Sequence, residues 1–172
     1  NGFRWVHDSF GTNWRMTEMQ AAIGRIQLKQ MREWNSKRYK NAEVIWETAR
    51  NLPNRRVPNL TCSGCDGACE PARGCTHAAY KCYVFVTGDE ALRDKMLAYM
   101  NEKGVPCFSG SCSEVYLEAA FDNTPFRPRE RLPVARELGQ TSLMFLCHPT
   151  LTDDEINKTC KVLREAVSEL CP

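Results

Sequence analysis

Gly11-Thr12-Asn13-Trp14-Arg15-Met16-Thr17-Glu18-Met19-Gln20-Ala21-Ala22-Ile23-Gly24-Arg25-Ile26-Gln27-Leu28 begins as a polar, irregular lead-in and turns into a long amphipathic helix. Thr17 suits the N-cap, and Gln20 stands three residues on, where a capping-box partner belongs. Asn13 to Arg15 precede the cap. They lie at the helix end where backbone N–H groups are free and the dipole favours anions. Two readings stay open here: a helix start that holds a phosphate or carboxylate, and an ordinary helix start. Met19, Ile23 and Ile26, then Ala42, Ile45, Trp46 and Ala49, keep helical spacing and predict one helix over 17–52, with a kink near Asn35 and Ser36. Such a helix would run about 54 Å, longer than a small domain is wide, and so bridges two bodies or lies along an interface. Pro53 and Pro58 stop it. Between them Asn54, Arg55 and Arg56 read as a solvated basic turn.

Downstream, residues 59–76 form a Gly- and Pro-containing loop without periodicity. Residues 77–87 read as a strand, and residues 89–103 as a helix ended by Gly104 at C′. Val105 to Phe108 make a short strand, followed by a Ser/Gly/Cys loop over 109–113. Ser113 is placed to cap a short helix through Phe121. A proline- and arginine-containing loop covers 122–131, and a short helix over 132–138 is stopped by Gly139. Ser142 to Cys147 read as a buried strand. Thr152 and Glu155 form a capping box that opens a last helix to about Leu170. The order predicts an α/β or α+β fold: a long N-terminal helix, then a small sheet covered by helices. The organisation expected is 1–58 lead-in and interface helix, 59–76 Cys-rich loop, 77–172 small α/β domain.

With 172 residues, 42% apolar and 26% charged, the chain is one domain's worth of ordinary globular sequence. A net charge of +2 gives no argument for nucleic-acid or membrane binding, and neither is expected. No apolar run approaches the roughly 20 residues of a membrane span. The chain opens mid-pattern on Asn1 without an initiator Met, which suggests a piece of a longer polypeptide. Of the ten cysteines, Cys82, Cys107, Cys147 and Cys160 sit in apolar contexts, where a free thiol packs as a small hydrophobe. That usage points to a reducing, cytoplasmic setting. Cys62, Cys65, Cys69 and Cys75, followed by His77, leave three alternatives: a structural zinc site, one or two disulfides, or free thiols. Only the first pair has the C-x2-C spacing.

Four ordered motifs carry a resemblance. They are Gly11-x-Asn13-x-Arg15-Met16-Thr17 with its helix start, His77-Ala78-x-Tyr80-Lys81, Gly104-Val105-Pro106, and Ser142-Leu143-Met144-Phe145-Leu146-x-His148-Pro149-x-Leu151-Thr152. Together they resemble the DegT/DnrJ/StrS family of pyridoxal-phosphate-dependent aminotransferases, which act mostly on nucleotide-linked keto sugars. The likeness spans nearly the whole chain outside residues 59–75. It implies the small C-terminal domain of a fold-type I aminotransferase, preceded by its long helix. The implied partners are an N-terminal cofactor domain, a second subunit in a homodimer and a nucleotide-sugar substrate, with glutamate as amino donor. In the family the lysine that binds the cofactor lies upstream of the region matched here, as do the aromatic and aspartate that hold its ring. Lys29, Lys37, Lys40 and Lys81 do not match that lysine, so the segment alone is expected to be inactive.

By the same resemblance, Asn13 matches an asparagine that reaches the cofactor phosphate of the neighbouring subunit. Arg15 is a second anion partner, or else pairs with Glu18. His148 sits at the active-site mouth, or merely pins the turn before Pro149. Family members carry a His-Tyr-x-x-Leu-His-like stretch after Gly-Val-Pro. Here that place reads Cys107 to Glu114, which suggests a different sugar or nucleotide. Ser109, Ser111 and Glu114 are the substrate candidates, against the reading of a plain polar loop. The alternative function is a non-catalytic dimerisation or zinc-binding module. Phe3, Trp5, Phe10 and the unpaired face of the long helix predict self-association.

Overall fold

The computed structural model describes residues 7–11, 15–58, 80–88, 90–110 and 112–171. Helix α1 is Glu18–Arg50. Its first turn is closed as the sequence predicts: Gln20 N–H donates to Thr17 Oγ1 at 3.3 Å, and Thr17 N–H donates to Gln20 Oε1 at 2.9 Å. The helix runs unbroken through Asn35 and Ser36, where a kink was expected. Its apolar stripe is buried only over Asn41 to Ala49. Met19 and Ile23 remain 77% and 57% exposed. The same spacing holds in both halves, but only the second half has a sheet beneath it.

Strand β1 (Arg55–Arg56) corrects the solvated-turn reading. Asn54 takes φ 56 and turns the chain, Thr87 N–H donates to Asn54 O at 2.9 Å, and the two arginines pair antiparallel with β2 (Cys82–Val86). The Arg56 guanidinium lies 4.4 Å from the Phe85 ring centroid, so a charged edge strand is anchored by an aromatic neighbour. Helix α2 (Glu90–Glu102) ends as predicted at Gly104, with φ 72. Strand β3 is Cys107–Phe108.

Two expected helix boundaries shift. Ser113 caps nothing: the stretch forms two 3₁₀ turns, Val115–Leu117 and Ala119–Phe121, broken by extended backbone at Glu118. Gly139 does not stop a helix but lies inside α3 (Pro133–Thr141). A Cβ at Gly139 would stand 2.5 Å from Ser113 Oγ, so the glycine serves close approach rather than termination. Strand β4 (Ser142–Phe145) follows at once and is buried along its whole length. Helix α4 (Asp153–Leu170) opens with the predicted box. Glu155 N–H donates to Thr152 Oγ1, and Thr152 N–H donates to Glu155 Oε2.

The sheet is antiparallel throughout, in the order β1-β2-β4-β3, with Cys82 opposite Phe145 and Cys107 opposite Phe145 on the other side. Cys82, Val84 and Val86 alternate into the core with Leu143 and Phe145. Ala42, Ile45 and Trp46 of α1, Met96 and Met100 of α2, and Cys160, Leu163 and Val167 of α4 complete that core. The last part of α1 therefore shares one core with residues 82–167. Cys82, Cys107, Cys147 and Cys160 are buried free thiols. Burial pushes Cys107 up to about 12 and Cys147 to about 11.

Candidate functional site

Three candidate places come from the sequence. At the lead-in, Arg15 is exposed just before the capped start of α1. Asn13 lies outside the described residues. The capping box takes the Gln20 amide for Thr17 Oγ1, and the positive end of the helix dipole faces the lead-in.

The second place is the turn after β4. Asn41 of α1, 8% exposed, donates from Nδ2 to His148 O at 3.1 Å. His148 Nδ1 is hydrogen-bonded to Thr150 Oγ1 at 2.8 Å. The backbone of His148 is thus fixed to the helix, and its ring is turned by Thr150. Asn41 was missed in the sequence. Its signal was an amide lying in the apolar stripe beside Ala42 and Ile45, where only a satisfied polar group is tolerated.

The third place is the loop over 109–114. Ser142 Oγ donates to Ser109 O at 2.6 Å, which ties the loop to β4. Gly110 takes φ 90, and a Cβ there would meet Tyr83 Cε1 at 2.8 Å, so the loop crosses the ring face only because the residue is glycine. Ser111 lies outside the described residues. Glu114 is 5% exposed and receives Arg131 through two bonds, Nε to Oε1 at 2.8 Å and Nη2 to Oε2 at 2.5 Å. Tyr116 Oη adds a third at 2.9 Å and itself accepts Leu132 N–H. The Arg131 guanidinium, with Tyr116 behind it, holds the Glu114 carboxyl below the ordinary range against the opposing effect of burial.

Beside this clamp lies a cleft of about 130 Å³, lined by Glu90, Cys112, Ser113, Glu114, Arg131 and Gln140 together with Gly139. Glu114 is the one sequence candidate on its wall; Ser109, His148 and Arg15 do not line it. Arg93, missed in the sequence, supports the cleft from below. It is 2% exposed, donates to Gly139 O at 2.9 Å and Ser142 O at 3.4 Å, and reaches Glu90 and Asp94 with its other nitrogens.

The cleft is well under the roughly 300 Å³ at which cofactor sites begin. Lys37 pairs with Glu33 at 2.9 Å and Lys40 approaches Asp153 at 3.9 Å, both more than half exposed. The described residues do not enclose pyridoxal phosphate. No group of His, Cys, Asp or Glu suited to a metal ion occurs among the described residues. Cys62, Cys65, Cys69 and Cys75 lie outside them, as does His77. No described helix is long and apolar enough to cross a membrane.

A small antiparallel sheet under helices, led by one long helix, is the architecture this chain shares with fold-type I aminotransferases, of whose length it covers a part. The solved aminotransferase from Psychrobacter cryohalolentis superposes with a TM-score of 0.77 at 50% identity, over 99% of this chain and 44% of that one. The chain belongs to the DegT/DnrJ/EryC1/StrS aminotransferase family, whose profile matches residues 1–164. It is 25% identical to the erythromycin biosynthesis sensory transduction protein EryC1 of Saccharopolyspora erythraea, over 94% of this chain and 40% of that protein. It is 24% identical to the dTDP-3-amino-3,4,6-trideoxy-alpha-D-glucose transaminase of Streptomyces venezuelae, over 94% and 38% respectively. The chain thus spans about 40% of the length of the curated relatives it matches.

Proposed function

We propose that this chain is the C-terminal part of a pyridoxal-phosphate-dependent aminotransferase that moves an amino group from glutamate to a nucleotide-linked keto sugar. The observation that carries the reading is the family match over residues 1–164, combined with coverage of only about 40% of the relatives' length. When bound, pyridoxal phosphate supplies the electron sink for amino exchange. The lysine that holds it belongs to the portion of the enzyme that this chain does not match, and the chain alone is inactive. Its own contribution is to bind and orient. Asn13 would hold the phosphate of a neighbouring subunit's cofactor, with Arg15 and the α1 start adding positive potential. His148, Ser109, Ser111 and Glu114 shape the mouth that receives the sugar. The working enzyme is a cytoplasmic homodimer.

A chimera tests this reading. This chain replaces the corresponding 44% of the Psychrobacter cryohalolentis aminotransferase. The expected result is a folded, cofactor-loaded protein that transfers nitrogen from glutamate. A folded, loaded chimera that transfers none would overturn the proposal. In the active chimera, Asn13→Ala is expected to weaken cofactor retention about tenfold, read by equilibrium dialysis, as for loss of one charge-assisted hydrogen bond. For the isolated chain, borohydride reduction in the presence of pyridoxal phosphate is expected to label no single lysine stoichiometrically by peptide mapping.

A further inference from the structure

Residues 7–10 touch a segment more than a hundred positions away. His7 is held on both sides of its backbone: its N–H donates to Glu118 Oε2 at 2.7 Å, and its carbonyl accepts Ala120 N–H at 3.1 Å. His7 Nδ1 stands 3.3 Å from the same carboxylate oxygen. Three residues on, Phe10 meets Phe121 edge to face, with centroids 5.1 Å apart. Glu118 is 2% exposed and sits where extended backbone separates the two 3₁₀ turns. A carboxylate at that depth demands donors, and the His7 amide is among those it has.

The position of this contact matters. Among the described residues from 15 to 40 none is buried, and burial in α1 begins at Asn41. Among the described residues, neither His7 nor Phe10 belongs to the core cluster, and the contacts they make are with 118–121. The same short stretch also carries Glu114, four residues before Glu118, in its clamp with Arg131.

We propose that residues 7–10 are a strap, latched onto 118–121 by Glu118, that opens and closes as a unit apart from the core. Glu118 is a positioning residue: it acts through the His7 backbone. That the lead-in receives an anion rests on the aminotransferase reading; the latch does not.

Amide hydrogen exchange on the 172-residue chain tests it. In Glu118→Ala the His7 and Ala120 amides are expected to exchange about tenfold faster, as for loss of a hydrogen bond to a charged group, while β4 and α4 amides keep their rates. Glu118→Gln retains an acceptor oxygen and is expected to restore most of the protection. Phe10→Ala alters only an exposed ring (65%) and is expected to loosen the same two amides, which keeps the test decisive should Glu118→Ala fail to fold. Unchanged exchange at His7 and Ala120 in both variants would overturn the latch. Equal acceleration in β4 and α4 would overturn its independence from the core. Neither result bears on whether the chimera transfers nitrogen, so the two proposals fail separately.

Discussion

Arg93 shows how one side chain can tie several elements. Its guanidinium reaches the carbonyls of Gly139 and Ser142 from α2, while Glu90 and Asp94 take its remaining donors. Arg93→Ala removes a buried charged donor from two carbonyls at the α3–β4 junction and is expected to cost about 2–3 kcal/mol in urea unfolding. Arg93→Lys should recover only part, because an ammonium cannot serve the same fork. Glu114 adds a pH dependence. Its carboxyl is held low in the folded state by Arg131, so its contribution is fully present above the unfolded value of about 4.3 and is lost as pH falls through the folded value. Thermal melts of the wild type should therefore decline below about pH 4. Glu114→Gln should be less stable at pH 7 and decline less between pH 5 and 3. Parallel declines would show that the acid sensitivity comes from other carboxylates.

The two capping boxes are chemically alike and structurally unequal. Thr152 opens α4, whose Ile156, Cys160, Leu163 and Val167 lie in the core. Thr17 opens a helix whose first turns are exposed. Thr152→Ala is expected to lower global stability by about 1 kcal/mol. Thr17→Ala should leave the melting temperature unchanged and speed amide exchange only in the first turns of α1. Equal losses in global stability would mean that the free half of α1 folds with the core. Both caps were legible from residue spacing alone, as was the Gly104 stop. β1 was not: Arg55 and Arg56 have no strand pattern, and they pair only because β2 offers an edge and Phe85 a ring. The misplaced stop at Gly139 has a similar cause. Glycine marks helix ends and close contacts alike, and only the approach of Ser113 shows which applies.

Across the whole chain, the free half of α1 carries Met19, Ile23 and Ile26 at helical spacing, each more than half exposed, with Met16, also exposed, just before the cap. An apolar stripe of that kind belongs against another surface. The chain is expected to self-associate at high concentration, and Ile23→Glu with Ile26→Glu to return it to a monomer in light scattering. A wild-type monomer at all concentrations would remove the support that this face lends to a homodimer. Phe10, which was expected to serve self-association, touches Phe121 within the chain and remains 65% exposed.

What was readable without coordinates is local. Helix caps, the 3.6-residue period of α1 and α4, the alternation in β2 and the motifs that mark the family all depend on residues within one or two turns of each other. The rest waited on contacts between distant parts. Asn41 reaches His148 across 107 positions, Arg93 reaches Gly139 across 46, Arg131 reaches Glu114 across 17 and His7 reaches Glu118 across 111. Each is a polar group made tolerable by burial opposite a partner, and burial is a property of the packed chain. The period of α1 is continuous, yet burial is confined to Asn41–Ala49, because only that end packs against the sheet and α4.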